Sequence, residues 1–137
     1  ACRPPGARGP RAGGALTLWL EVARDDLTID ADPDLLAQVL INLMRNAAEA
    51  ARAHSDAPAV SLSFIQTKSR RIQIEVADNG AGVPETLRHD IFLPFFTTKE
   101  KGTGVGLSLA RQIVLPHRGS IDLATSEAGG ALFRILI

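Results

Sequence analysis

Two asparagines, Asn42 and Asn46, stand four residues apart in the stretch NLMRNAAEA. An amide oxygen is a neutral, hard ligand of the kind that Mg²⁺ accepts together with several waters. Residues four apart on a helix lie one turn apart, so both oxygens could reach one ion or its hydration shell. Asparagine is a poor helix former, costing roughly 0.5 kcal/mol relative to alanine, and exposed faces more often carry lysine, glutamate or arginine. A solvated polar face stays open as the alternative, but the pair favours a metal site.

The second candidate is a glycine-broken segment, DNGAGVP, which follows the alternating segment RIQIEVA. Asp-Asn-Gly is ordinary turn chemistry, yet a two-residue hairpin turn needs neither a second glycine nor a proline. An aspartate at a strand end, here Asp78, is a good acceptor for an exocyclic amine such as that of adenine. Gly80 and Gly82 would let the backbone approach a flat ring. Alone, this pattern is a weak indication of a purine site.

The third candidate is the segment KGTGVGLSLARQIV, in which Gly102, Gly104 and Gly106 alternate just before an apolar helix. The free amides and the dipole at a helix start attract phosphate. Lys99 and Lys101 precede the glycines and could reach phosphate oxygens. The spacing fits neither a P-loop nor a dinucleotide-binding loop, and the other elements of a protein kinase are absent. The remaining alternative for the glycines alone is a flexible hinge.

Regular elements must position these segments, and the hydrophobic pattern predicts them. Alternation predicts strands at 16–22, 60–66, 71–77, 120–125 and 131–137, with a further short strand at 27–29. Helical periodicity and capping signals predict helices at 33–53, 85–90 and 104–115, the first of them capped by Asp32. On the first helix, the apolar residues fall on one side. Gln38, Asn42, Asn46 and Glu49 are expected together on the opposite side.

The order and patterning of these elements predict the fold class. Every strand has the alternation of a half-buried strand, which is typical of antiparallel or mixed sheets covered on one face. We therefore expect an α/β fold: a two-layer sandwich of a mixed, mainly antiparallel sheet with about three helices on one face.

Composition limits the remaining possibilities. The chain has 137 residues, enough for one domain, and 45% of them are hydrophobic. Fifteen basic and fifteen acidic side chains cancel, which disfavours a nucleic-acid binder. A lone cysteine, Cys2, closes no internal disulfide, and no apolar run approaches the ~18 residues of a membrane span. Residues 1–14 are expected to be a flexible linker or an expression remnant without signal-peptide character, and residues 15–137 the functional domain.

Four boxes in a fixed order resemble a known family. QVLINLMRNAAEA, DNGAGVP, IFLPFFTTK and KGTGVGLSLARQIV resemble the asparagine box, first glycine box, phenylalanine box and second glycine box of sensor histidine kinases. The similarity covers residues 30–137 and concerns the catalytic, ATP-binding domain. This domain belongs to the wider ATPase superfamily of gyrase, heat-shock chaperones, histidine kinases and mismatch-repair proteins. The resemblance implies the Bergerat ATP-binding fold, with ATP and Mg²⁺ held between helices and a lid.

The resemblance also implies roles for individual residues. Asn46 would ligate Mg²⁺, with Asn42 supporting the metal and the phosphates, and both would be catalytic. Asp78 would accept the adenine amine beside Gly80 and Gly82. The remaining nucleotide-binding positions are implied along the lid and the helix after it: Phe95, Phe96, Thr98, Lys99, Gly102, Thr103, Gly104, Val105, Gly106 and Leu107. Among them, the two phenylalanines would anchor the lid, the glycines would face the triphosphate, and the leucine would pack the lid helix.

The implied reaction moves the γ-phosphoryl group to a histidine nitrogen and then to an aspartate of a response regulator. Superfamily members that hydrolyse ATP usually carry glutamate where Asn42 stands, as base for water. A neutral imidazole needs little such help, so positioning and charge neutralisation should dominate. Glu49, Arg118, Ala131 and Leu132 depart from the family pattern. A phosphate contact at Glu49 is therefore not expected; this residue could instead bind Mg²⁺-bound water or have no role. Hydroxyl contacts at 131 and 132 are missing.

The family's acceptor histidine lies on a dimeric helical hairpin that does not fit into residues 1–30. His89 begins a segment that superficially mimics the acceptor motif, but it runs directly into the phenylalanine box, and we reject it. His54 and His117 are interpreted as loop and turn residues. We expect a monomeric, cytoplasmic catalytic fragment of a kinase, whose partners are its own histidine-bearing domain and a response regulator; membrane anchoring of the parent protein stays open. The alternatives are an anti-sigma-factor serine kinase and a non-catalytic nucleotide-binding module.

Overall fold

A five-stranded mixed sheet forms one layer of the protein. The computed structural model describes residues 15–23, 31–88, 90–92 and 106–137. The strands are β1 Thr17–Val22, β2 Ala59–Gln66, β3 Ile72–Asp78, β4 Ser120–Thr125 and β5 Ala131–Leu136. Their order across the sheet is β1-β2-β3-β5-β4. Among the described strands, β1 and β2 run parallel, and the β2–β3, β3–β5 and β4–β5 pairs are antiparallel, as the mainly antiparallel prediction requires.

The long helix α1, Pro33–His54, begins at the predicted cap. Oδ1 of Asp32 accepts hydrogen bonds from the backbone N–H of Asp34 at 2.9 Å and of Leu35 at 3.2 Å. These bonds satisfy two of the amides that a helix start leaves unpaired, and Pro33 needs none. The N-cap prediction is therefore confirmed.

The buried stripe of α1 is centred on Val39, Leu43, Ala47 and Ala51. Asn42 and Asn46 are half-buried beside this stripe, whereas Gln38 and Glu49 are exposed. The prediction that all four polar residues lie opposite the apolar side was wrong for the asparagines. Because Val39 is buried, the contact with the sheet extends further around the helix, to the edge where both asparagines stand.

The helices cover one face of the sheet and form a single core with it. α2, Gly106–Val114, packs against α1. The core combines residues of both helices with the facing side of the strands, including Val39, Leu43, Val60, Ile74, Val76, Ala110, Val114, Phe133 and Ile135. Single-turn 3-10 helices at Glu85–Leu87, Asp90–Phe92 and Leu115–His117 complete the helical layer of the described chain. The predicted α/β two-layer sandwich is confirmed.

The central strands are more buried than the alternating pattern predicts. Glu75 and Ala77 lie on the face of β3 away from the helices, yet both are buried. Arg134 on β5 donates to Oε2 of Glu75 from Nε at 3.0 Å and from Nη2 at 2.8 Å. A neighbouring strand on each side and a paired carboxylate explain why this face of an interior strand is shielded.

The predicted hairpin of β2 and β3 is confirmed, as are the last two strands. The predicted short helix at 85–90 consists instead of separate 3-10 turns. The predicted strand at 27–29, positions 104 and 105 of the lid helix, and residues 1–14 lie outside the described residues. No helix within the described ranges is long and apolar enough to span a membrane.

Candidate functional site

The carboxyl group of Asp78 stands at the end of β3, and hydrogen bonds to one of its two oxygens hold it in place. Oδ1 accepts hydrogen bonds from the backbone N–H of Gly80 at 2.8 Å and of Ala131 at 3.1 Å. No donor among the described residues reaches Oδ2. Asp78 is only 4% exposed. The result is a largely buried carboxyl group with one oxygen held in place by two backbone N–H groups.

The environment of Asp78 also changes its acidity. Burial raises the pKa of this carboxyl above its usual value, because the charged form loses solvation. The N–H groups of Gly80 and Ala131 act in the opposite direction by stabilising the carboxylate. Burial is the larger effect. The free oxygen therefore gains by receiving a hydrogen bond from a ligand that replaces lost water.

The turn between β4 and β5 supports Asp78 from behind. The hydroxyl of Ser126 donates to the backbone carbonyl of Asp78 at 2.7 Å and accepts from the N–H of Gly130 at 2.9 Å. Gly130 packs so closely that a Cβ there would collide with both the carbonyl oxygen and Oδ1 of Asp78. Only glycine fits at this position without displacing the carboxyl group.

Glycine is required at positions 80 and 82 for two different structural reasons. A Cβ at Gly80 would stand 2.7 Å from the carbonyl oxygen of Ala50 on α1, so the turn lies directly against the helix. Ala50 is one helical turn after Asn46, and the contact therefore brings the two predicted motifs into one region. Gly82 has φ of +77°, a backbone conformation that favours glycine.

Asn79 is a structural residue of the site that the sequence analysis missed. Its Oδ1 accepts from the N–H of Ala59 at 2.9 Å, and its Nδ2 donates to the carbonyl of Ala57 at 2.8 Å. An asparagine in a turn usually bonds its own backbone nearby. Here the bonds reach the connection between α1 and β2, a long-range role that local turn chemistry does not reveal.

The amide side chains of Asn42 and Asn46 are chemically compatible with a magnesium ion that also binds phosphate oxygens. No group of three or more histidine, cysteine, aspartate or glutamate side chains that could hold a metal occurs in the described part of the chain. Asn42 and Asn46 offer amide oxygens on one edge of α1. These two residues would hold an ion there, and the ion would supply positive charge against the phosphates.

Most of the predicted lid lies outside the described residues: Phe95, Phe96, Thr98, Lys99, Gly102, Thr103, Gly104 and Val105. Gly106 is the first residue of α2. Leu107 is half-buried and packs against the core, the position expected for a residue that packs the lid helix.

An aromatic anchor precedes the lid, at a position that the sequence analysis did not single out. The ring of Phe92 meets that of Phe133 edge to face, with the centroids 6.3 Å apart. The guanidinium carbon of Arg111, on α2, lies 5.8 Å from the centroid of Phe92. This contact links the entrance of the lid to the helix that follows it. The apolar pair Ile91-Phe92 at the start of the phenylalanine box was the available signal.

His117 connects the end of the α2 region to the start of α1. Its Nδ1 pairs with the carbonyl of Ile113 at 2.7 Å, and its Nε2 accepts from the N–H of Asp32 at 3.2 Å. Both ring nitrogens are thus engaged with the backbone, which supports its interpretation as a structural residue. His54 is an exposed residue at the end of α1, and His89 lies outside the described residues.

Comparison with curated proteins gives consistent relatives. The signal transduction histidine-protein kinase AtoS of Escherichia coli (strain K12) is 38% identical over 109 residues, covering 80% of this chain and 17% of AtoS. The chain spans about a fifth of the length of the curated relatives it matches.

Solved structures agree with the sequence relatives. The catalytic domain of histidine kinase ThkA has a TM-score of 0.79 and 34% identity, covering 89% of this chain and 78% of that domain. ThkA in complex with the response regulator protein TrrA has a TM-score of 0.74 and 31% identity, covering 89% of this chain and 34% of that one. Full-length ShkA in complex with AMPPNP has a TM-score of 0.77 and 29% identity, covering 93% of this chain and 27% of that one.

A family model described as histidine kinase-, DNA gyrase B- and HSP90-like ATPase matches residues 31–137. The curated relatives of this chain named above are sensor histidine kinases, and the structural neighbours include the catalytic domain of one. The chain belongs to the histidine kinase-, DNA gyrase B- and HSP90-like ATPase family, and it corresponds to the catalytic domain of a sensor histidine kinase.

Proposed function

We propose that this domain binds Mg-ATP and donates the γ-phosphoryl group to a histidine carried by another segment of its parent protein. The observation that carries the proposal is the Asp78 carboxyl, whose Oδ1 is held by two backbone N–H groups while no donor among the described residues reaches Oδ2. This oxygen suits the exocyclic amine of adenine. ShkA, a structural neighbour, was solved with the ATP analogue AMPPNP.

The asparagines on α1 suit the other end of the nucleotide. Asn46 is the proposed magnesium ligand, and Asn42 supports the metal and the phosphates. Neither amide can take up a proton, so this chain supplies no base at these positions for activating water. The reaction would depend on orientation and charge neutralisation, and ATP supplies the phosphoryl group. α2, which begins at Gly106, packs against α1, and Gly106, Leu107 and the remaining lid positions keep their predicted roles as proposals.

The proposed partners are a histidine-bearing dimerisation domain of the same parent protein and a response regulator. The neighbour ThkA was solved with the response regulator TrrA, which supports the second partner by analogy. Within the described chain, His117 is an unsuitable acceptor because both its ring nitrogens are hydrogen-bonded to backbone atoms. The proposal places the acceptor histidine on a separate domain of the parent protein.

Incubation with γ-labelled ATP and Mg²⁺, with and without the parent's acceptor domain, tests this function. We expect acid-labile label on the acceptor domain and none on the catalytic chain alone. A variant of the acceptor domain with its histidine replaced is the control and should stay unlabelled.

Other results would contradict the proposal in distinct ways. Acid-labile label on the lone chain would show that it carries its own acceptor. Acid-stable label on a partner serine would indicate an anti-sigma-type serine kinase instead. Saturable ATP binding without transfer to any acceptor would indicate a non-catalytic nucleotide-binding module.

A further inference from the structure

The turn between β4 and β5 contains a buried hydroxyl that the proposed reaction does not use. Ser126 is only 6% exposed, and its hydroxyl forms two hydrogen bonds, one at the end of β3 and one just before β5. It donates to the carbonyl oxygen of Asp78 and accepts from the N–H of Gly130. One hydroxyl thus joins the end of β3 to the entry of β5.

These two bonds fix the parts of the backbone that orient the Asp78 carboxyl. Gly130 directly precedes Ala131, whose N–H donates to Oδ1 of Asp78 at 3.1 Å. The turn is closed by further backbone bonds between Ser126 and Gly130, at 2.8 Å, and between Gly129 and Ser126, at 3.0 Å. The hydroxyl therefore sets the distance between the carboxyl group and the N–H that holds it.

The consequence concerns the oxygen that remains available. With Oδ1 held by Gly80 and Ala131 from two directions, the carboxyl group has little freedom to rotate, and Oδ2 keeps one orientation. A fixed acceptor favours a purine with an amine at position 6 and opposes one with a carbonyl oxygen there, because two acceptors repel. A carboxyl group that can rotate loses this discrimination.

We propose that Ser126 is a positioning residue for base selection, holding the Asp78 carboxyl so that the site prefers ATP to GTP. The inference rests on the proposed function, since it concerns the same nucleotide. It goes beyond that function by assigning the selectivity to a hydroxyl that would touch neither base nor phosphate.

The test compares the dissociation constants of Mg-ATP and Mg-GTP for the whole chain by calorimetry, well below the unfolding temperature. For Ser126→Ala we expect ATP binding to weaken about tenfold, the order expected for losing one buried hydrogen-bond partner. GTP binding should change little, so that the ATP/GTP preference falls by a similar factor. Ser126→Thr keeps the hydroxyl and should restore the preference.

Ser63→Ala is the matched control. Ser63 on β2 is 5% exposed, and its register partner is Glu75, away from the turn. The Ser63→Ala substitution should leave the ATP/GTP preference unchanged. A purely structural role of Ser126 would lower the unfolding temperature while leaving the ratio of the two constants intact, and that result would overturn the inference. Should Ser126→Ala not fold, Ser126→Cys carries the same readout, because a thiol is a weak donor and acceptor.

Failure of this inference is distinguishable from failure of the proposed function. If the unchanged chain shows no saturable binding of ATP, the proposed function fails and the inference with it. If the unchanged chain prefers ATP, Asp78→Asn abolishes that preference and Ser126→Ala preserves it, only the role of Ser126 is wrong.

Discussion

The two ends of the proposed nucleotide site are built in different ways. Asp78 is buried and is held by hydrogen bonds from its own turn and from the turn between β4 and β5. Asn42 and Asn46 belong to a single helix and are half-buried at its edge, with their spacing set by the helical repeat. The base end thus depends on tertiary contacts far apart in sequence, whereas the metal end depends on one secondary-structure element.

This difference predicts which substitutions should affect both folding and nucleotide binding and which should affect binding alone. Changes around Asp78 should affect folding and nucleotide binding together, since the same bonds serve both. Changes at the asparagines should affect binding with little effect on stability, since half-buried polar side chains on a helix contribute little to the core.

The largest effect is expected for Gly130→Ala. Its new Cβ would collide with the carbonyl oxygen and Oδ1 of Asp78, neither of which can move without breaking a hydrogen bond. We expect a loss of about 2–4 kcal/mol in the free energy of unfolding, the range of severe core changes, together with loss of ATP binding. Urea denaturation and calorimetry measure the two effects.

Gly129→Ala is the matched control for that collision. Gly129 has φ of +90°, but a Cβ there meets nothing within 4 Å. We expect only the backbone cost, about 1–2 kcal/mol, and retained nucleotide binding. Equal losses of stability in the two variants would contradict the assigned contact between Gly130 and Asp78.

Asp78→Asn is the exception at this end of the site, because it should lower nucleotide binding without a loss of stability. The amide keeps an oxygen for Gly80 and Ala131, but it places a donor where the free acceptor stood. Since a donor there opposes the adenine amine, we expect ATP affinity to fall about 100-fold, as for other mispaired buried polar contacts. Calorimetric titration checks this. A variant that binds ATP as tightly as the unchanged chain would show that Oδ2 does not receive the base.

The raised pKa of Asp78 predicts that the stability of the protein depends on pH. Because burial raises the pKa of Asp78, the folded protein takes up a proton at a pH where the unfolded chain has already released it. The stability linked to this group is therefore present below 3.8, its usual pKa, and is lost as pH rises through the raised value.

Asp78→Asn removes that pH-dependent cost. Its unfolding temperature should equal or exceed that of the unchanged chain at pH 7, and the advantage should shrink towards pH 4. Thermal unfolding of both proteins across this range is the measurement. An advantage that grows on acidification would mean that the folded-state pKa is lowered instead.

The smallest effect is expected at Arg118, remote from the site. Its φ is +61°, in the left-handed region where side chains are disfavoured. Arg118→Gly should raise the free energy of unfolding by no more than about 1 kcal/mol, since glycine relieves strain but gives the unfolded chain more freedom. A loss above that amount would show that the arginine side chain itself contributes to stability. Nucleotide binding should not change.

The sequence predicted the elements and their layers well because their signals are local. Alternation located β2, β3, β4 and β5 within one or two residues, and Asp32 marked the start of α1. It failed where burial depends on neighbours that are distant in sequence. Glu75 looked like an exposed position of an alternating strand, but Arg134 pairs with it and an adjacent strand shields each side.

The same distinction applies to the candidate site. Asp78, Gly80 and Gly82 stood out because turn residues carry a local signature, and the structure gives a reason for each. Asn79 and Ser126 were missed because their hydrogen bonds reach 20 and 48 residues along the chain. Arg118 stood out only as a departure from the family pattern; it is exposed, and its positive φ has no sequence signal.

Calorimetric titration of Asn46→Ala with ATP, in the presence and absence of Mg²⁺, tests the central claim most directly. The unchanged chain should bind ATP saturably and more tightly with the cation present. The variant should lose most of that magnesium-dependent gain, about 100-fold if one inner ligand of the ion is removed, while its unfolding temperature stays close to that of the unchanged chain. Undiminished magnesium-dependent binding by the variant would contradict the account.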